Sequence, residues 1–297
     1  GREGFELTDE LYIKMNSRGK QLTPFENFKA SFIGFVDKTF KGKELEHPDR
    51  GMISFSDYFS YRIEKEWTDL FWSYRNGDTT IDNQFSNYFE FITECCFFAS
   101  KIDAKADDYK GAFKQYAEVF DKEENFLFLV NTLDRLHQIA GKVEEATNEL
   151  KVDMFFNEFI SSIDAYNDGD KIHINWLKAG SNDLFERILL GGDEVARTKI
   201  LFFTILKFCV KYEVSEPSES LKKMARVIKN LLQHTRQRNE TKFNTNVRIN
   251  DLGSYLKLLT QLIEEDPYDI LINGNINNVK SKISDDALDH EVEKAKI

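Results

Sequence analysis

The sequence predicts a mainly α protein: an irregular multi-helix bundle with an aromatic core and at most a short strand or hairpin. Three observations lead there. The 15 Gly and 4 Pro are about 6% of the 297 residues, half the roughly 12% of an average chain, whereas sandwiches and barrels need turn residues every ~8–12 positions. Apolar residues recur at spacings of three and four almost everywhere. The chain also carries 26 Phe within 41% hydrophobic and 13% aromatic content, which excludes collagen-like, linker-like and disordered classes.

The elements follow in order. Thr23, Pro24 and Glu26 spell a helix start: a capping hydroxyl, a proline where no N–H is needed, and the acidic partner of a capping box. Phe25, Phe28, Phe32 and Phe35 continue it as one buried stripe. Ser54 and Asp57 form a weaker capping box ahead of Phe55, Phe59, Ile63, Trp67, Leu70 and Tyr74. Ile81, Phe85, Phe89, Ile92 and Cys96 mark a third helix. Phe126, Val130, Leu133 and His137 mark another, and Val152, Phe155, Phe159 and Ile163 one more. After Gly191, Gly192 and Asp193, a helix over 193–212 is apolar nearly all round, which places it at the bundle centre. Helices near 218–237, 246–265 and 285–297 complete the set, with breaks at Asp266–Pro267 and over 273–278. The one expected strand is Lys171 to Trp176, after the Asp168–Gly169 turn. No repeat of 20–50 residues supports a solenoid. A subdivision of the helical part falls near 165–180.

Catalytic and metal signatures are sparse. Cys95, Cys96 and Cys209 make no disulfide framework and show no C-x-x-C spacing. They read as small buried side chains. His47, His137, His173, His234 and His290 have no metal-ligand spacing, and His137 reads as a core residue. Asp164, Tyr166, Asp168 and Gly169 have Tyr at the third position and Asn175 at the twelfth of a calcium loop, so they read as a solvated turn. Asp103 with Lys105, and Asp108 with Lys110, repeat a nuclease D-x-K spacing without a flanking apolar strand, so both read as surface charge. Asp289, His290 and Glu291 open like an HNH metal site whose remaining residues are missing. Asn16, Ser17, Arg18, Gly19 and Lys20 form a polar turn in which Arg18, Lys20 and the following helix N-terminus could face an anion. This turn lacks the first Gly and the Ser/Thr of a P-loop. The apolar run Ile200 to Val210, interrupted by Lys207, falls short of the ~20 residues that span a bilayer. With no secretory segment at its start, the protein is expected to be cytoplasmic, without a membrane partner.

Charge is unevenly distributed. From Leu221 to Arg248, eight basic residues (Lys222, Lys223, Arg226, Lys229, Arg236, Arg238, Lys242, Arg248) face one acidic residue, Glu240. That segment carries +7 in a chain of −11, leaving −18 elsewhere. Lys222, Arg226 and Lys229 share one helix face opposite Leu221, Ala225, Ile228 and Leu232. Two partners fit such a face, duplex DNA through its phosphates and an acidic protein surface.

One stretch has a familiar pattern. Tyr12, Asn16, Gly19 and Leu22, followed by Glu26, Lys29 and Ala30, resemble the second conserved motif of the domain of unknown function 262 family, an aromatic-x-x-x-N-x-x-G-x-x-L run leading to an acidic residue and K-A. Arg226, Val227, Asn230 and Leu231 are similar to an R-V-x-R-N-L stretch in the helical part of such proteins. Glu291, Lys294 and Ala295 resemble its later E-x-x-K-A helix. The resemblance implies a bacterial protein of the restriction or phage-defence kind. It also implies an N-terminal core that binds and hydrolyses nucleotide, with Mg, through a D-G-Q-Q-R motif, often followed by an HNH nuclease. Neither signature occurs here, so the resemblance places catalysis outside this chain and implies no cofactor within it. Residues 1–30 then correspond to the end of that core and 31–297 to the helical domain. Asn16, Arg18 and Gly19 would support the nucleotide site of the intact protein. On bottom-up grounds Gly19 permits the chain reversal and Asn16 hydrogen-bonds the turn.

The expectation is therefore a helical scaffold and DNA- or partner-binding region, a fragment of a longer protein that starts without Met, lacking turnover alone and completed by the missing parts of its own chain. The alternatives are a structural protein–protein module and a metal-dependent nuclease with scattered carboxylates. The candidate contact residues are Lys222, Lys223, Arg226, Lys229, Arg236 and Arg238, with no catalytic residue or metal ligand among them.

Overall fold

A computed structural model of the chain describes residues 22–75, 77, 80–147, 152–156, 165–167, 170–172, 183–191, 196–233 and 249–264. The first helix, α1 (Pro24–Thr39), starts where the capping box predicts. Thr23 Oγ1 accepts from the Glu26 amide at 3.1 Å, and Glu26 Oε2 accepts from the Thr23 amide at 2.7 Å. Both bonds satisfy amides that the first helical turn leaves free. Phe25, Phe28, Phe32 and Val36 are buried. Phe32 has no exposed surface and lies with its ring centroid 5.1 to 5.4 Å from those of Phe59, Phe89 and Phe120, edge to face. That geometry sets the positive ring edge against a negative face. The boundary drawn after Ala30 falls inside α1, which continues unbroken to Thr39.

Next come two short antiparallel strands, β1 (Glu44–His47) and β2 (Gly51–Ser54), where the sequence suggested no strand. Leu45 and Ile53, directly paired, pack against the core, and His47 is buried beside the Tyr58 ring. With Met52 turned outward at 59% exposed, one inward apolar residue per strand is too little to produce a readable alternation, and the turn depends on Gly51 at φ +69°. A second hairpin pairs β3 (Ala165–Asn167) with β4 (Asp170–Ile172). β4 overlaps the start of the Lys171–Trp176 strand expected from the sequence and is paired with β3 instead of standing alone; residues 173–176 lie outside the described ones.

The helix expected across Phe55 to Tyr74 is two, α2 (Phe55–Glu64) and α3 (Glu66–Trp72), broken at Lys65 (φ −130°, ψ −96°). Thr68 Oγ1 donates to the Ile63 carbonyl at 2.6 Å, satisfying an acceptor freed by the break. The bend re-aims Trp67 so that its indole N–H and the Arg62 guanidinium reach the same carboxylate, Asp134. There follow α4 (Asp82–Ser100), a 3₁₀ turn (Ala106–Asp108), α5 (Ala112–Val119) and α6 (Glu123–Thr147). Beyond them lie α7 (Leu184–Leu190), α8 (Ala196–Lys211), α9 (Glu219–Gln233), a 3₁₀ turn (Ile249–Asp251) and α10 (Leu252–Glu264).

Two helices form the centre. α8 packs on α4, α6, α7, α9 and α10, as its all-round apolar sequence predicts. α4 is equally central, touching α1, α5, α7, α8 and α10, and it buries Tyr88, Phe91 and Phe98 besides the stripe read from spacing. Hydroxyls inside these helices bond back to their own backbone: Thr93 to the Phe89 carbonyl and Thr204 to the Ile200 carbonyl, so neither hydroxyl is left unpaired. Burying each Phe contributes roughly 1.5–3 kcal/mol. No helix among the described residues is long and apolar enough to cross a membrane.

Candidate functional site

α9 carries four of the candidate contact residues, Lys222, Lys223, Arg226 and Lys229. Ser218 Oγ accepts from the Leu221 amide at 3.2 Å, closing the helix start. Leu221, Met224, Ala225, Val227, Ile228 and Leu232 are buried, and the helix packs on α8. Among the described side chains, Lys222 and Lys223 lie between them. Lys223 is exposed there. Lys222 lies lower, its side chain 18% exposed, with Nζ 3.2 Å from Glu219 Oε1 one turn back. That pairing is a solvated contact of small energy, and it lowers the charge Lys222 offers to a partner. Arg226 and Lys229 belong to the same helix, though only their backbone is described. Arg236 and Arg238 lie outside the described residues, as do Asn16, Arg18, Gly19, Asp289, His290 and the expected helix over 285–297.

Several buried polar groups elsewhere already have partners, although Glu66 Oε2 is buried without one among the described residues. Asp134 of α6 accepts from Tyr58 Oη at 2.7 Å, Arg62 Nε and Nη2 at 2.8 and 2.6 Å, and Trp67 Nε1 at 2.9 Å. Burial and the Asp134 charge push the Tyr58 phenol well above its usual range, so it stays a donor. Glu66 adds a second carboxylate 3.3 Å from the Arg62 guanidinium. His137, expected in the core, is half-buried one turn beyond Asp134, and burial followed by the Arg62 charge holds its pKa down. A carboxylate with four donors already in place has little capacity left for proton transfer or metal binding.

Two further nodes behave alike. Lys199 of α8 sits 2.5 Å from Glu94 of α4, which is only 5% exposed. Burial raises the Glu94 pKa; on Lys199, burial opposes the charge and the Glu94 carboxylate outweighs it, leaving the ammonium above its usual value. Asp183 caps α7 through the Phe185 and Glu186 amides at 2.9 and 3.1 Å and accepts from Tyr74 Oη at 2.8 Å. The Tyr74 oxygen in turn accepts from the Val152 amide.

The D-x-K segments resolve as loop structure. Asp108 Oδ2 accepts from the Lys105 amide at 2.7 Å, and Gln115 Nε2 donates to the Asp108 carbonyl. Neither segment lies on a strand. The three cysteines are free and buried, and burial pushes the Cys96 and Cys209 thiols up to about 12. No group of three or more His, Cys, Asp or Glu among the described residues is arranged to hold a metal ion. Sequence reasoning passed over Asp134 and Arg62, which lie 72 residues apart, and no local spacing signals such a pair. No protein-family model, curated protein or solved structure matches the chain.

Proposed function

We propose that the chain is the helical scaffold and DNA-binding region of a bacterial restriction- or phage-defence-type protein, with the exposed side of α9 laid against duplex phosphates. The supporting observation is the division of α9: six apolar side chains are buried, and Lys223 faces solvent within the +7 stretch. A basic face on an otherwise acidic protein concentrates its field where a polyanion can approach. The family part of the reading rests on the residues from Tyr12 to Ala30. Turnover is assigned to a D-G-Q-Q-R-bearing core of the kind the resemblance implies.

Mobility shifts on duplex DNA at low and moderate salt test the binding. The expected result is a shift that weakens with salt and is lost when Lys222, Lys223, Arg226 and Lys229 are changed to Glu. Each phosphate contact removed should reduce the salt slope by about one. Equal binding by that variant would refute the site, and a shift with an acidic protein surface in place of DNA would favour the protein–protein alternative. The complete reading frame tests the family: absence of D-G-Q-Q-R upstream of Gly1 would remove it.

A further inference from the structure

Lys207 interrupts the most apolar stretch of the chain, on a helix buried nearly all round. The other lysine facing inward from α8, Lys199, is matched by Glu94. Lys207 is matched by no carboxylate among the described residues. Its ammonium instead lies 5.8 and 5.7 Å from the ring centroids of Phe128 and Phe203. These side chains open onto a pocket of about 480 Å³ where α4, α6, α8 and α10 meet, within the ~300–1,000 Å³ typical of small-molecule sites.

The lining has an unusual charge balance. Lys122, Lys207 and Lys257 all border the pocket against a single carboxylate, Glu124, in a protein of net charge −11. None of the three lysines forms an ion pair among the described residues. Placing like charges around one cavity costs energy that a bound dianion would offset. The wall beside Lys207 is apolar: Phe203 is buried, Phe128 half-buried, and their rings meet at 5.0 Å and 62°. Cys96 adds a buried thiol held in its neutral form, so this wall offers packing and no nucleophile. The volume exceeds what an inorganic ion fills, and Asn125 and Thr260 supply neutral polar groups at the rim.

We propose that this pocket binds a small aromatic phosphate monoester, with its phosphate among Lys122, Lys207 and Lys257 and its ring against Phe128 and Phe203. A dianion suits three cations better than a carboxylate does, and an aromatic ring suits a wall that carries two phenylalanines. The site is independent of the DNA-binding reading, since α9 contributes nothing to its lining.

Titration calorimetry on the whole chain tests it, with phenyl phosphate, phenol and inorganic phosphate as the three probes. The expected result is saturable binding of phenyl phosphate, at least tenfold tighter than either phenol or inorganic phosphate. Lys207→Met should weaken phenyl phosphate at least tenfold. Lys257→Glu, at an exposed position that leaves the core untouched, should do the same and serves if Lys207→Met fails to fold. Lys223→Glu on α9 should leave it unchanged. The proposal is overturned if phenyl phosphate binds no better than its two halves, or if Lys257→Glu retains wild-type affinity with an unchanged circular dichroism spectrum. Loss of DNA binding by the α9 variant, with phenyl phosphate binding intact, would separate this site from the proposed DNA surface.

Discussion

Asp134→Ala removes the acceptor that joins α6 to α2 and α3. Arg62 would then keep a guanidinium 8% exposed, with only Glu66 at 3.3 Å to balance it. Breaking a buried ion pair from one side costs about 3–5 kcal/mol. Asp134 is itself 17% exposed, so water reaches part of the vacated space and the lower end applies, about 3 kcal/mol. The Tyr58 hydroxyl and the Trp67 N–H also lose their acceptor, which adds about 1 kcal/mol. The total, roughly 4 kcal/mol, corresponds at about 2 °C per kcal/mol for a chain of this size to a fall in Tm of about 8 °C. Urea unfolding followed by circular dichroism measures it directly, with the midpoint falling and the slope unchanged. Asp134→Asn, which retains one carbonyl oxygen for Arg62 and Trp67, should cost about half as much. A loss below about 1 kcal/mol for Asp134→Ala would show that the four bonds are not holding α6 in place.

Three other outcomes are expected. Burial raises Asp183 to about 7 in the fold, against 3.8 as its ordinary value. The folded state therefore holds an extra proton between those values, and the stability from this group, complete below about pH 4, is lost as pH rises toward 7. The gap corresponds to at most about 4 kcal/mol. Asp183→Asn should flatten that part of the stability–pH profile measured by urea unfolding, and an unchanged profile would discount the effect. A Cβ on Gly253 would lie 2.6 Å from the Phe98 carbonyl oxygen and 2.9 Å from Ile102 Cα, whereas one on Gly34 meets nothing within 4 Å. Gly253→Ala should thus destabilise by about 1–3 kcal/mol as α10 is forced off α4, and Gly34→Ala should stabilise by roughly 0.5–1 kcal/mol; melting temperatures moving in the same direction would contradict the packing. The cysteines, buried and held as thiols, should react with a chromogenic disulfide reagent only after denaturant is added.

What could be read from the sequence was whatever depends on neighbours a few residues apart. The α1 capping box, the phenylalanine stripe and the centrality of α8 all follow from local spacing. The α2–α3 break does not, since Lys65 is neither Gly nor Pro and the bend is selected by Asp134, a partner 67 to 76 residues from Trp67, Arg62 and Tyr58. The β1–β2 hairpin was hidden for the opposite reason, having almost no apolar content to pattern. In the candidate site, spacing picked out Leu221, Ala225, Ile228 and Leu232 as buried residues of α9. It could not show that Lys222 turns back to Glu219. Lys207 was visible only as an interruption of an apolar run; its significance depends on Lys122, just before α6, on Phe128 of α6 and on Lys257 of α10, which border the same pocket.

The central position of α8 also sets an order of events during synthesis. Helices α1 to α6 are complete once residue 147 has been made, but the surfaces of α4 and α6 that α8 covers stay open until residue 211 follows. At roughly 5–20 residues per second, those ~60 residues take about 3–12 s. Throughout that interval the nascent chain displays Phe91 and Phe128 without Phe202 and Phe203, which lie against them in the finished protein. A ribosome stalled within α8 would therefore hold a sticky half-bundle, a substrate for chaperones that the finished protein is not.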